Sequence, residues 1–269
     1  MKAKTFKILL MMEIRNNRKL ILGWAIGIFS ILFMYMILFP SVKEMGQMKL
    51  DAMPKEMLQL MGMESMDDFR TFPSYFGTIY NIVLIAISIF SGILCGGLLY
   101  KEEKTKSIEF LYSMEVSRAE IYLAKVMTGF LGILLVVGCG TISTMICGFW
   151  NGGSTFDAEL VLRIIKISSC SAFFFGAVGF FVGGITGRIS AGSISAMLVL
   201  ATYLVGYLGN LLGTKAEWLK AFSPLEVLKP QNAMHPDSDL VIGLMTYMGF
   251  MILLVVCGLG SYRKRDLFI

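Results

Sequence analysis

Six stretches of the chain carry no charged residue: Leu20 to Val42, Thr71 to Tyr100, Val126 to Phe156, Ile167 to Gly187, Ile189 to Thr214 and Leu240 to Tyr262. Each meets the roughly 20 residues a helix needs to cross about 30 Å of hydrocarbon. The stretches are apolar on every face, without the alternation that a barrel strand keeps over about ten residues. In hydrocarbon each backbone N–H and C=O must be paired within the protein, which an α-helix achieves by itself. The pattern predicts an all-α polytopic membrane protein in one transmembrane domain over residues 1–269. Its six transmembrane helices fall at about residues 20–40, 76–100, 126–149, 167–187, 190–212 and 240–262.

Six spans put both termini on one side. That side holds 15 Lys and Arg and the other side 9, so the positive-inside rule makes the N- and C-termini cytoplasmic. Residues 5 to 14 read as a short amphipathic N-terminal helix, with Phe6, Leu9, Leu10 and Ile14 on lipid and Lys2, Lys4, Lys7, Arg15 and Arg18 toward anionic headgroups. A plain basic flank is the other reading. The apolar window from Leu20 is too long for a secretory signal and has no small-residue cleavage pattern, so it is retained. The outer segment Lys43 to Arg70 is Met-rich, with Met53, Met57 and Met61 on one helical face after Pro54. Such a face could gate a substrate or pack on the ends of the spans.

Composition narrows the function. Hydrophobic residues are 56% of the chain and charged ones 16%, with mean hydropathy +0.71, which is integral-membrane chemistry. The net charge of +5 follows from the orientation signal, and no nucleic-acid partner is implied. The charge-free windows hold no ionisable group to carry a coupling ion, which argues against a secondary carrier. They hold no nucleophile with a nearby base, which argues against an intramembrane enzyme. There is no G-x-x-x-x-G-K-[ST], so the chain is not expected to be an enzyme by itself or to hold ATP. Cys95, Cys139, Cys147, Cys170 and Cys257 lie in spans without ligand spacing and read as small hydrophobes, with no metal site. His235, beside Pro236 and Asp237, reads as a solvated turn residue.

Small residues mark where helices can touch. Gly92 and Gly96, Gly179, Gly183 and Gly187, and Gly209 and Gly213 recur every four positions, which allows close backbone approach within the bundle or between subunits. Asn81, Ser88, Ser91, Thr202 and Asn210 are candidates for a substrate pathway, since they offer hydroxyls and amides without charge. Hydrogen bonding between neighbouring helices is the alternative use of the same groups.

The segment Lys101 to Ser117, between the second and third spans, is a charged amphipathic island. Ile108, Leu111 and Tyr112 fall at i, i+3 and i+4, opposite Lys106, Glu109 and Ser113, as in a helix that docks one face in a groove. Ser117-Arg-Ala-Glu120 has the form of a capping box, flanked by Val116 and Ile121 at staple positions. A helix starting at Arg118 should therefore run unbroken into the third span.

With Glu102, Ser107, Ile108, Glu109, Phe110, Leu111, Ser113, Val116, Ser117 and Arg118, then Ala124 and Lys125, the chain resembles the membrane subunits of type-2 ATP-binding-cassette (ABC) exporters. Their pattern here is E-x-x-x-G-T-x-E-x-L-L-S-x-P-V-S-R followed by a helix with Gly-Lys or Ala-Lys. This chain departs from it at Lys106 and Ser107, at Tyr112 in place of a Leu, and at Glu115 in place of the Pro. Residues 53–62, 222–225 and 263–266 are similar to the first outer loop, the last outer loop and the ending of these permeases.

The resemblance implies that 101–117 is a cytoplasmic coupling helix, with Glu102, Ile108, Glu109, Leu111, Tyr112, Ser113, Val116, Ser117 and Arg118 meeting a separate cytoplasmic ABC ATPase subunit. ATP and magnesium would belong to that ATPase, with no cofactor on this chain. A second permease copy or paralogue would complete the unit in the cell membrane of a bacterium. A non-transporting scaffold or sensor predicts the same spans.

Overall fold

The computed structural model describes residues 3–49, 71–104, 117–186, 191–213 and 216–264. Six long helices carry the fold: α1 (Ala3–Ile37), α3 (Phe72–Lys104), α4 (Arg118–Asn151), α5 (Ala158–Ile185), α6 (Ala191–Leu211) and α9 (Ser238–Lys264). Each contains a stretch long and apolar enough to cross a membrane, and no strand occurs among the described residues. Three shorter α-helices are also described, α2 (Phe39–Lys49) after α1, and α7 (Pro224–Val227) and α8 (Pro230–Met234) before α9, with 3-10 turns at Gly153–Thr155 and Glu217–Phe222. Both α7 and α8 open on a proline at the first helical position, where the missing N–H has no partner to lose.

Helix boundaries follow local chemistry. Asp157 accepts the Leu160 N–H at 3.0 Å to start α5, and Asp237 accepts the Leu240 N–H at 2.8 Å at the start of α9. Gly213, at φ +59°, closes α6 in the left-handed region that glycine enters without penalty. That position is therefore a cap and not a packing glycine, which corrects the expected Gly209–Gly213 contact face. Gly209 does pack closely, against Lys220 and Leu219. Gly187 lies outside the described residues.

The interior is a sandwich of α3 between α5 and α6. A methyl group on Gly96 would stand 2.6 Å from the Gly192 nitrogen, and one on Gly92 would stand 2.8 Å from the Ser195 Cβ, so α3 and α6 meet backbone to backbone. On its other side, a methyl on Gly179 of α5 would lie 2.9 Å from the Gly96 nitrogen and 3.0 Å from the Gly92 carbonyl oxygen. Two glycines one turn apart thus serve two neighbours. Lipid tails are as apolar as leucine, so close packing and interhelical hydrogen bonds hold such a bundle. The Tyr80 and Ser169 hydroxyls share a 2.7 Å bond from α3 to α5, and the Ser143 hydroxyl of α4 donates to the Phe29 carbonyl of α1 at 2.9 Å. At the far end of α3, Phe72 stands edge-on to Phe39 and to Phe156, with ring centres 5.3 and 5.2 Å apart.

The N-terminal segment differs from expectation. No separate interfacial helix precedes the first span: α1 runs without a break from Ala3 to Ile37. Residues 3–22 contain neither Gly nor Pro, so nothing interrupts the helix where basic flank passes into apolar span. Its expected lipid face is divided. Leu9 is buried against Ile121 and Ala124 of α4, while Ile14 is exposed.

Candidate functional site

The first two turns of α4 gather most of the bundle. Ser117 is extended (φ −71°, ψ 149°), and both halves of the capping box form: the Glu120 N–H donates to the Ser117 hydroxyl at 3.3 Å, and the Ser117 N–H donates to the Glu120 carboxylate at 3.0 Å. The helix then runs 34 residues to Asn151, as the capping box predicts. Of the expected staple pair, Ile121 is fully buried and Val116 lies outside the described residues.

From this capped start, Arg118, Tyr122 and Lys125 project along one helical face at i, i+4 and i+7. The Arg118 guanidinium donates to the Arg263 carbonyl at 3.2 Å, in the last turn of α9. The Tyr122 hydroxyl donates to the Val255 carbonyl at 3.1 Å, and its ring packs against Phe180 of α5 and Tyr262 of α9. The Lys125 ammonium donates to the Glu13 carboxylate at 2.8 Å and to the Leu98 carbonyl of α3 at 2.7 Å. One end of α4 is thereby tied to α1, α3, α5 and α9.

The Glu13–Lys125 pair is the part that sequence reading missed. Both lie just outside the charge-free windows that mark the spans, which begin at Leu20 and Val126. Both are buried, Lys125 completely and Glu13 to 4% exposure. A lysine stem can lie along apolar surface with its head in water, but here the head is inside the protein. The available signal was slight: Glu13 is the one acidic residue before Glu44, set among six bases. Asn17, one turn on, donates back to the Glu13 backbone carbonyl at 2.9 Å and is itself buried.

Of the other expected coupling residues, Glu102 sits in the last turn of α3, and Ile108, Glu109, Leu111, Tyr112 and Ser113 lie outside the described residues. The two ends of that segment are placed: α3 stops at Lys104 and α4 starts at Arg118. The pathway candidates do not converge. Ser88 and Ser91 are buried in α3, Asn81 and Thr202 are half-buried, and Asn210 is exposed. Ser91 donates to the Ile87 carbonyl at 2.8 Å and Thr202 to that of Leu198 at 2.9 Å, so both hydroxyls are satisfied by their own helices. The Ser88 hydroxyl is buried without a hydrogen-bond partner. None of the five lines the cavity between α5, α9 and residues 220–232. Cys95 and Cys147 are buried, Cys257 is exposed, and the described residues contain no cluster of His, Cys, Asp and Glu side chains able to hold a metal ion.

Compared with known families, residues 9–263 match the one described as multidrug efflux system permease Rv1217c, C-terminal domain. A search of the curated proteins returns no match.

Proposed function

The chain belongs to this family of multidrug efflux permeases, a multi-pass membrane protein by its six apolar helices, and from that premise we propose that it is the membrane subunit of an ATP-driven exporter of the ABC type. In this reading it holds no nucleotide and catalyses nothing itself. A separate ATPase subunit hydrolyses ATP on the cytoplasmic side of a bacterial cell membrane, and two permeases pair to enclose the path of the cargo.

The observation that carries the proposal is the wiring of the α4 start. A push on residues 105–116 reaches Ser117, where the capping box makes the chain helical at once. Within eight residues that helix is bonded to α1, α3 and α9 and packed on α5. Buried hydrogen-bonded contacts transmit a displacement because they have few alternative arrangements. An allosteric claim needs two sites and a shared element with two states, and α4 is the shared element here.

The test is affinity purification of the tagged chain from native membranes in mild detergent, with mass-spectrometric identification of its partners. A stoichiometric soluble subunit bearing a phosphate-binding loop is expected. Changing Leu111 and Tyr112 to Asp should release it and abolish ATP-dependent efflux while membrane insertion is retained. Recovery of the chain alone from several mild detergents would favour a scaffold.

A further inference from the structure

Helices α5 and α9 run side by side in the same direction, with Phe174 against Tyr247 and, ten residues on, Gly184 against Gly258. In the seam between them lies a cavity of about 190 Å³, lined by Cys170 and Phe173 of α5 and by Tyr247, Met248 and Met251 of α9. At 1.5 Å per residue, Cys170 stands about 18 Å from the start of α5, and Met248 and Met251 about 15 and 20 Å from the start of α9. Long helical side chains reach back toward the start of their helix, which brings both thioethers toward the level of Cys170. The volume falls below the roughly 300–1,000 Å³ of organic-ligand sites, so the cavity suits an occupant of ionic size.

Three of the five lining residues carry sulfur, and none carries a side-chain nitrogen or a carboxylate. The Tyr247 hydroxyl is turned away, donating to the Ala221 carbonyl at 2.6 Å, which leaves the ring to the cavity. The other aromatic wall, Phe173, stands edge to face with Phe130 of α4, ring centres 5.7 Å apart. Both rings are thus held from outside the cavity. The Cys170 thiol donates to the Lys166 carbonyl of its own helix at 3.4 Å, and its sulfur keeps its lone pairs. Met248 is 45% exposed, and Cys170, Phe173 and Met251 are half-buried, so the cavity opens sideways from the bundle. With three rotatable bonds, Met248 can fold over an occupant.

We propose that this cavity binds one soft monovalent metal ion, of the class of copper(I), ligated by the Cys170 thiolate and the Met248 and Met251 thioethers. Thiolate and thioether sulfur select copper(I), whereas hard cations need the oxygens that are missing here. Binding forms the bond from the Cys170 sulfur to the metal and releases the thiol proton to water. One thiolate and two neutral thioethers make the complex with a monovalent ion electrically neutral. A divalent ion would keep a net charge in an apolar seam, where it is costly. The Phe173 and Tyr247 rings favour a cation beside them. Once filled, the site ties α9 to α5 at mid-length. It stands apart from the exporter reading and needs no ATPase.

The test titrates copper(I), buffered by bicinchoninate under anaerobic reducing conditions, into the purified full chain in detergent. At equal free copper(I), the parent should hold one ion more per chain than Cys170→Ser. Cys257→Ser and Met245→Leu alter sulfurs outside the cavity and should bind as the parent does. The Met248→Leu, Met251→Leu double variant keeps the thiol and should weaken that ion at least about tenfold. Met→Leu conserves volume, so this variant decides the matter even where Cys170→Ser folds poorly. Silver(I), which has no redox chemistry here, should raise the melting temperature of the parent and not that of the double variant, as a ligand of the folded state does. Parent-like binding by the double variant overturns the proposal and leaves an isolated thiol. Undiminished binding by Cys170→Ser overturns it as well, and displacement of the ion by zinc(II) overturns the monovalent assignment.

Discussion

The second and sixth spans, α3 and α9, are almost equally apolar, yet 67% of the most apolar stretch of α3 is buried in the protein and 6% of that of α9. Hydropathy finds both helices and cannot tell them apart. Small residues in the right register make the difference. Gly92 and Gly96 let α3 come within backbone contact of α5 and α6 on two sides, whereas Gly249 and Gly260 of α9 have open space where a side chain would go. The large residues of α9, among them Ile242, Met245, Ile252 and Val256, point outward. α9 is fastened at a few places instead: Gly258 against Gly184, Tyr122 on Val255, and Arg118 on Arg263. A bundle can thus hold one helix by its whole surface and another by a few bolts.

The largest effect should come from freeing the α3 end of that comparison. Lys125 holds the Leu98 carbonyl and is neutralised by Glu13, so Lys125→Met leaves a carboxylate buried without its ammonium. Removing one partner of a buried pair typically costs about 3–5 kcal/mol, while replacing both with apolar residues is often close to neutral. Equilibrium unfolding in detergent should therefore show a large loss for Lys125→Met and recovery of most of it in the Glu13→Leu, Lys125→Met double variant. If the double variant is stable but no longer exports, the pair serves motion more than stability. A single variant as stable as the parent would mean that the pair does not pin α3.

A smaller effect separates the two helices directly. Gly96→Ala would force its methyl to within 2.6 Å of the Gly192 backbone nitrogen and 2.7 Å of the Ala191 carbonyl carbon, neither of which can turn aside as a side chain would. Overpacking of this kind costs about 1–3 kcal/mol. Gly249→Ala on α9 meets nothing within 4 Å and should be neutral or gain up to about 1 kcal/mol of helix propensity. Thermal melts of the two variants side by side decide it: equal losses would mean that register is not what embeds α3.

Much of this was legible in the chain. Absence of charge marks every span, because a helix in hydrocarbon cannot leave an ionised group unpaired at low cost. The Ser117–Glu120 box announces the start of α4, since its signal lies within four residues and depends on nothing distant. The glycines of α3 and α5 also read correctly as places of close approach within the bundle. Three features did not show. The continuity of α1 was hidden because a basic flank resembles a separate interfacial helix until the lack of any breaker is weighed. The Glu13–Lys125 pair spans 112 positions, and no local pattern carries information over that distance. Exposure of α9 was hidden because lipid and protein interior favour the same residues, so an apolar window is silent about which of them it faces.

The subtlest test concerns one of the bolts on α9. Tyr122→Phe removes a donor whose acceptor, the Val255 carbonyl, lies within α9 and keeps its place in the helical ladder, so no group is stranded. Interhelical hydrogen bonds in membranes average about 0.6 kcal/mol, and a loss near that size is expected. The hydroxyl also fills space, because a methyl on Gly258 would come within 2.5 Å of it and within 3.1 Å of the Phe180 carbonyl oxygen. Gly258→Ala alone should therefore cost more than Tyr122→Phe alone, and removing the hydroxyl should relieve part of that cost. The double variant is expected to lose less than the two singles together, by about 0.5 kcal/mol or more, which is the range of coupling between residues in contact. Strict additivity would place the obstruction at the Phe180 carbonyl and leave α9 fastened mainly to α5, and in the proposed exporter a push on α4 would then reach α9 through the Arg118–Arg263 bond at its end.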